Sequence, residues 1–89
     1  MSLSSGQLAV STSAVLIYRA DGDGSVVTLH NDSSGHGHPV YLGPAGVTVS
    51  TGLYVTGDGP YVRVRLAAGE ALYAIAPNDV TVSWLAVHG

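Results

Sequence analysis

Three of the four histidines of the chain lie close together, at positions 30, 36 and 38. His36 and His38 flank a single glycine, so in an extended segment both side chains point to the same side and could bind one metal ion. A catalytic zinc needs three converging protein ligands, and His30 and Asp32 could complete the set only through a loop conformation that the sequence does not specify. Because glycines and a proline interrupt this segment, we predict a polar loop leading into a strand, with no metal site and no cofactor.

Two known metal-binding patterns come close to this sequence without matching it. The cupin family of β-barrels uses a His-X-His pair that is soon followed by a glutamate, whereas "PVYLG" (39–43) carries no carboxylate. The segment "DGDGSVVTLHND" (21–32) has acidic residues at several ligand positions of a calcium-binding loop, but Val26 occupies the position that should be glycine. We therefore predict that residues 21–24 form a turn that joins two strands into a hairpin.

The rest of the chain offers no arrangement typical of an enzyme. Serines are plentiful, but the Gly-X-Ser-X-Gly motif of serine hydrolases is absent. The chain has no cysteine, which excludes disulfides, thiolate zinc sites and a cysteine nucleophile. Glu70 and most of the aspartates lie beside glycines, where turn formation is sufficient to explain them. We predict that the protein is not an enzyme.

The composition describes one small domain with few charges. Its 89 residues are 46% hydrophobic and only 10% charged, against roughly 25% charged residues in ordinary soluble domains. The net charge of -3 and the absence of lysine argue against nucleic acid and membrane surfaces as partners, because both attract clustered basic residues. A small core without disulfides, together with so few charges, favours an oligomer whose interface covers part of the surface. A monomer coated with serine, threonine and glycine is the alternative.

Nearly every segment of the chain is typical of β-strands. Segments rich in valine, threonine and tyrosine are separated by Gly, Pro and Asp turns about every ten residues, which predicts an all-β fold. We expect a small antiparallel β-sandwich or jelly-roll-like barrel of about seven or eight short strands. Residues 1–6 are predicted to be a flexible N-terminal arm, and residues 7–89 a single domain. Residues 14–20 are apolar on both faces, which indicates a strand that is buried or covered by a neighbouring subunit.

Two features of the predicted strands could contact a partner. In "YVRVRL" (61–66) the residues Tyr61, Arg63 and Arg65 alternate with aliphatic residues, so we expect them to point away from the core. Tyrosine and arginine are enriched at interface hot spots, although an ordinary solvated strand face would have the same pattern. Trp84 shares its face with two valines, which favours a core position over a platform for stacking a sugar ring.

Residues 25–89 resemble a group of small virion proteins of phages and prophages. The resemblance rests on a strand ending in Asn, then "PVYLG", "GVT" and "TG", then "LAAGEALYAIAP" (66–77) and the terminal strand "TVSWLAVHG" (81–89). It implies a structural protein that is made in the host cytoplasm and located on the capsid surface of the virion. The chain departs from the pattern in a longer His/Gly loop (32–38) and in the segment "YVTGDGPYVRV" (54–64), both expected to be outer loops.

The resemblance implies a head decoration protein, which binds the assembled shell, often as a trimer, and bridges neighbouring capsid subunits. Its partners would be the major capsid protein and further copies of the chain in a homotrimer. The residues expected to contact the shell are Ser2, Leu3, Ser4 and Ser5 of the arm, with Tyr61, Arg63 and Arg65. The alternative is a receptor- or glycan-binding module of a phage head or tail fibre, and a third hypothesis is a cupin-like metalloenzyme. A threefold interface would favour decoration, exposed aromatic residues a glycan, and a three-ligand metal the enzyme.

Overall fold

The computed structural model describes residues 2–32, 38–56 and 61–88, which form eight β-strands. The strands are β1 (Ser2–Val10), β2 (Val15–Arg19), β3 (Ser25–Asn31), β4 (Val40–Gly43), β5 (Leu53–Val55), β6 (Val62–Leu66), β7 (Ala71–Ile75) and β8 (Val80–His88). Across these three ranges of the chain, no helix has the length and apolar character needed to cross a membrane. The predicted all-β class is confirmed.

The strands form two four-stranded sheets, in the orders β1-β8-β3-β6 and β2-β7-β4-β5. Antiparallel pairs join the first strand to the last, the second to the seventh, the third to the sixth and the fourth to the fifth. The chain is therefore one long hairpin whose successive strand pairs alternate between the two sheets. This connectivity is that of a jelly roll, a β-sandwich built from two Greek keys, and it confirms the predicted sandwich.

The core between the sheets consists of valine, leucine, isoleucine and alanine side chains. Strand β3 shows how alternation specifies it, because Val27 and Leu29 point inward and are buried whereas Val26, Thr28 and His30 point outward. The buried cluster comprises Val10, Ile17, Ala20, Val27, Leu29, Val40, Leu42, Val55, Leu66, Leu72, Ala74, Ala76, Val80, Val82 and Ala86. Burial of one valine or leucine side chain contributes about 1.5–3 kcal/mol, so stability comes from many small contributions.

The turn at residues 21–24 forms as expected but does not make the predicted hairpin. The main-chain nitrogen of Gly24 donates to the carbonyl oxygen of Asp21 at 3.1 Å, and Gly24 has a φ of 78°. A side chain is excluded at Gly24, because an added Cβ would lie 2.8 Å from the carbonyl oxygen of Leu66. Strands β2 and β3 nevertheless belong to different sheets, so the hairpin prediction is wrong. The turn reverses the chain, but distant strands provide the pairing partners.

The prediction of a flexible arm at residues 1–6 is wrong for residues 2–6, and Met1 lies outside the described residues. Residues 2–6 belong to β1 and pair with β8, from Ser2 opposite His88 to Gly6 opposite Trp84. The indole ring of Trp84 covers Gly6, where an added Cβ would lie 3.1 Å from the ring. Main-chain hydrogen bonds do not require apolar side chains, and a serine-rich segment can therefore form an edge strand.

The recurring sequence motifs correspond to tightly built turns. Val47 is buried between Gly43 and Gly52. A Cβ atom added at Gly43 would lie 2.7 Å from Val47 Cγ2, and one added at Gly52 would lie 2.9 Å from the same atom. In the turn between β6 and β7, Glu70 Oε1 accepts a hydrogen bond from the main-chain nitrogen of Ala67 at 2.6 Å. The motifs therefore specify the fold, and Glu70 has a structural role in its turn.

Candidate binding faces

The outer surface of the β1-β8-β3-β6 sheet contains most of the residues predicted to contact a partner. The strand register places Leu3, Val87, Val26 and Arg65 in one row across the sheet, and Ser5, Leu85, Thr28 and Arg63 in the next row. We call these eight residues the arginine face. Its β1 edge carries no charge, and its β6 edge carries two guanidinium groups. At its centre Leu85 is exposed, and the other three residues are half-buried.

Four of the predicted contact residues converge on this face. Leu3, which is 66% exposed, and Ser5 point outward from β1. Arg63 and Arg65 point outward from β6, alternating with inward-facing aliphatic residues as predicted. Strands β8 and β3 separate the two groups, which corresponds to about 14 Å between the edge strands. Residues from distant parts of the chain thus share one continuous surface.

The other three predicted contact residues lie elsewhere. Ser4 alternates to the inner side of β1 and is half-buried, while the main chain of Ser2 pairs with His88 at the end of the sheet. Tyr61 is 75% exposed and lies beside the arginine face, with its ring centre 5.3 Å from that of His30. Tyr61 therefore extends the face, whereas Ser4 does not belong to it.

Three polar side chains form a hydrogen-bonded cluster next to Tyr61. His30 Nδ1 lies 2.5 Å from Asp32 Oδ1, and the hydroxyl of Ser83 donates to the other carboxylate oxygen. Burial raises the pKa of Asp32, but the hydrogen bonds from Ser83 and His30, with the electrostatic attraction of His30, bring it below 3.8. The ionised carboxylate is therefore the form that the folded protein stabilises.

This cluster differs from the catalytic triad of serine hydrolases. In a triad the histidine lies between serine and aspartate and takes the proton of the serine. Here Asp32 lies in the middle and accepts hydrogen bonds from both His30 and Ser83. The Ser83 hydroxyl is held by a carboxylate and has no histidine base within this arrangement, so the cluster orders polar side chains without activating a nucleophile.

Asp32 and His38, the two described residues of the predicted histidine loop, border a groove at one end of the sandwich. Asp32, His38 and Asp79 line this groove, which has a volume of about 600 Å³ and is bounded by β1 and β8. Among the residues that the structure describes, no three His, Cys, Asp or Glu side chains come together in a way that could hold a metal ion. His36 lies outside those residues, and the absence of a metal at His36 and His38 stays a prediction.

Asn31, beside this groove, links the two sheets through its buried side chain. It is 1% exposed at the end of β3, and its Nδ2 atom donates to the carbonyl oxygens of His38 at 2.9 Å and Val55 at 3.2 Å. Val55 belongs to β5 in the opposite sheet, and His38 precedes β4. The asparagine that ends a strand in the recurring pattern therefore has a structural role.

Trp84 occupies the position expected from its alternation with valines. Its side chain is half-buried and packs against the hydrophobic core. The ring centres of Trp84 and Tyr18 are 5.5 Å apart at an interplanar angle of 48°, which connects β8 with β2 of the other sheet. This packing gives the tryptophan a role in joining the sheets.

The outer surface of the β2-β7-β4-β5 sheet is aromatic and apolar, and the sequence alone did not identify it as a contact surface. The register places Leu16 opposite Tyr73 in one row, and Ile75, Tyr41 and Tyr54 in another. We call these five residues the tyrosine face. Leu16 and Tyr54 are 43% and 54% exposed, and the other three are half-buried. The sequence shows that β2 and β7 are apolar on both faces. It does not show that they lie in one sheet with β4 and β5.

Comparison with models of known protein families and with curated protein sequences finds no match for this chain.

Proposed function

We propose that this protein is a non-enzymatic structural protein of a phage virion, a head decoration protein that binds the assembled shell through its arginine face. The resemblance of residues 25–89 to small virion proteins supports the role. The single observation that carries the docking surface is the convergence of Leu3, Ser5, Arg63 and Arg65 on one exposed sheet face. In this proposal the virion surface is the place of action and the major capsid protein is the partner.

The chemistry of the arginine face indicates what the shell must present. Arg63 and Arg65 are two residues apart on an edge strand, which separates their Cα atoms by about 6.8 Å. A guanidinium group binds a carboxylate through two parallel hydrogen bonds, so two such groups suit a pair of acidic side chains. Leu3 and Leu85 add exposed apolar surface to the same face. The complementary site is therefore acidic with an adjoining apolar patch.

Arginines on an edge strand can also have a purely protective role. Charged side chains on an edge prevent pairing with the edge of another sheet, and β6 is an edge strand. Arg63 and Arg65 would then keep the protein soluble without touching a shell. A binding experiment must therefore measure attachment to the shell separately from solubility.

Co-sedimentation with expanded heads of the phage that encodes the chain tests the proposal. The wild-type protein should sediment with heads and should leave free capsid subunits unbound. The double variant Arg63→Ala/Arg65→Ala should bind at least about tenfold more weakly, because truncation of interface arginines commonly has effects of this size. Binding should also weaken as salt is raised from 50 to 500 mM, since exposed charge pairs are screened.

Arg19 supplies a matched control for these variants. It is exposed, it lies on the opposite sheet, and Arg19→Ala removes the same charge as either single variant of the arginine face. Equal losses of head binding in Arg19→Ala and Arg63→Ala would indicate a nonspecific effect of charge and contradict the docking face. Failure of the soluble wild-type protein to bind heads would contradict the decoration role.

The alternative function is a glycan- or receptor-binding module of a head or tail fibre. One observation favours it, namely the three tyrosines of the tyrosine face. Their geometry argues against a flat sugar platform, because the rings of Tyr41 and Tyr54 meet edge to face at 69°. A glycan array with the wild-type protein and Tyr54→Ala tests this alternative. Specific glycan binding that Tyr54→Ala abolishes, without binding to heads, would favour the fibre module.

A further inference from the structure

The tyrosine face is a neutral surface at the outside of the sandwich. Its five residues carry no charge, and Leu16 and Tyr54 are largely exposed. Arg19 lies on the adjoining row of β2, but its guanidinium donates to the carbonyl oxygen of Gly69 at 3.1 Å, in the turn between β6 and β7. Its charge is therefore held at the border and leaves the face uncharged.

The strands beneath this face have the sequences of strands that are covered on both sides. In β7, Leu72 and Ala74 point into the core, while the outward residues Tyr73 and Ile75 are also aromatic or apolar. An antiparallel strand with one solvated side normally has polar residues there, as β6 does with its arginines. The tyrosine face thus has the composition of an interface core, which is rich in tyrosine and depleted of charge.

We infer that the tyrosine face is covered by the tyrosine face of a second copy of this chain, in a two-fold dimer. A neutral patch can meet its own copy without placing like charges together, even though each chain has a net charge of -3. When the same patch is used on both chains, the contact closes after two copies. The arginine face is less suited to such a pair, because a two-fold axis that runs across its strands would place Arg63 and Arg65 opposite their own copies.

The dimensions of the sheets set the size of this contact. The extents of the protein are 36, 24 and 17 Å, and the shortest is consistent with the stacking of two sheets. The broad side of the protein includes the long strands β1 and β8 of the other sheet. The sheet beneath the tyrosine face spans about 19 Å across its four strands and about 17 Å along strands of up to five residues, or about 320 Å². This is less than the roughly 800 Å² that each partner buries in a standard interface, so we expect a weak dimer that dissociates on dilution. The inference does not depend on a virion role, and it gives a dimer where the resemblance implies a trimer.

Sedimentation equilibrium of the full chain between 1 and 200 µM tests the inference directly. We expect the mass to rise with concentration from the 9.0 kDa of one chain to twice that value. Tyr54→Glu and Leu16→Glu introduce a charge at the two most exposed positions of the face. Each should raise the dissociation constant at least about tenfold, because a buried charge without a partner is costly at an interface.

Leu3→Glu is the matched control, since it makes the same type of change at a residue that is 66% exposed on the opposite face. It should dimerise as the wild type does, and circular dichroism should show that all three variants keep their strands. Two variants are used because one could fail to fold. A wild-type monomer at 200 µM, a trimer, or a dimer that persists in the folded tyrosine-face variants would overturn the inference.

Discussion

Replacing Asn31 by aspartate would remove two hydrogen-bond donors from the interior of the sandwich while keeping the size of the side chain. Asn31 Nδ2 donates to the carbonyl oxygens of His38 and Val55, and the residue is 1% exposed. In Asn31→Asp a carboxylate oxygen, which can only accept, would face one or both of these carbonyls. The substitution therefore tests hydrogen bonding with little change in packing.

The expected loss of stability is about 2–6 kcal/mol at pH 7. Removing one partner of a hydrogen bond and leaving a buried carbonyl without a donor costs about 1–3 kcal/mol, and Asn31 serves two carbonyls. The total is a large part of the roughly 4–13 kcal/mol expected for a domain of 89 residues. At about 4–8 °C per kcal/mol, the melting temperature should fall by at least about 8 °C.

Thermal and urea unfolding, followed by circular dichroism, would measure this loss. The introduced carboxyl is more stable protonated in this site, so its pKa is raised on folding. Its penalty should then shrink as the pH falls through this raised folded-state pKa and reach its smallest value by about pH 4, the usual pKa of an aspartate in an unfolded chain, because the neutral acid can donate one hydrogen bond. Asn78→Asp, at an exposed position before β8, is the matched control. A melting temperature for Asn31→Asp within about 2 °C of this control at pH 7 would refute the reasoning.

Two further predictions concern polar groups near the sheet ends. Asp32→Asn should reduce stability by about 1 kcal/mol at neutral pH, because Asp32 is only partly buried. Since folding lowers the pKa of Asp32 below 3.8, this contribution is present above about pH 4 and disappears as the pH falls through the folded-state pKa. Urea unfolding of the wild type and Asp32→Asn from pH 2 to 7 would measure it. A difference in unfolding free energy that stays constant over this range would contradict the prediction. Ser25→Ala should raise stability by about 1 kcal/mol, because within the described chain the buried Ser25 hydroxyl has no hydrogen-bond partner; a lower melting temperature would disagree with this expectation.

The sequence predicted strands and their inner faces well, because alternation depends only on local spacing. The outward arginines of β6 and the inward Val27 and Leu29 of β3 follow directly from a period of two residues. The error at residues 21–24 has a different origin. An Asp-Gly turn specifies a reversal of the chain, whereas the sheet that the next strand joins depends on contacts with β6 and β8, far along the sequence.

Two features escaped prediction because they depend on neighbours in space. The serine-rich residues 2–6 form an edge strand through main-chain pairing with β8, and their side chains give no sign of this. The tyrosine face arises only when β7 lies between β2 and β4, which brings Leu16, Tyr73 and Tyr41 onto one surface. Neither strand adjacency can be read from composition or periodicity.

The two proposed contacts constrain each other, because the arginine and tyrosine faces lie on opposite sides of the sandwich. In a dimer joined through its tyrosine faces, the two arginine faces point away from each other, and one smooth shell can contact only one of them. Linked sites increase affinity only when both can bind at once, so this dimer should gain no avidity on a head. Tyr54→Glu should therefore halve the mass bound to saturated heads and leave the affinity for the shell unchanged within about twofold. If Tyr54→Glu lowers the affinity for heads by about a hundredfold or more, several arginine faces of one oligomer bind the shell together. That result would contradict face-to-face dimerisation but would still support the arginine face as the docking surface.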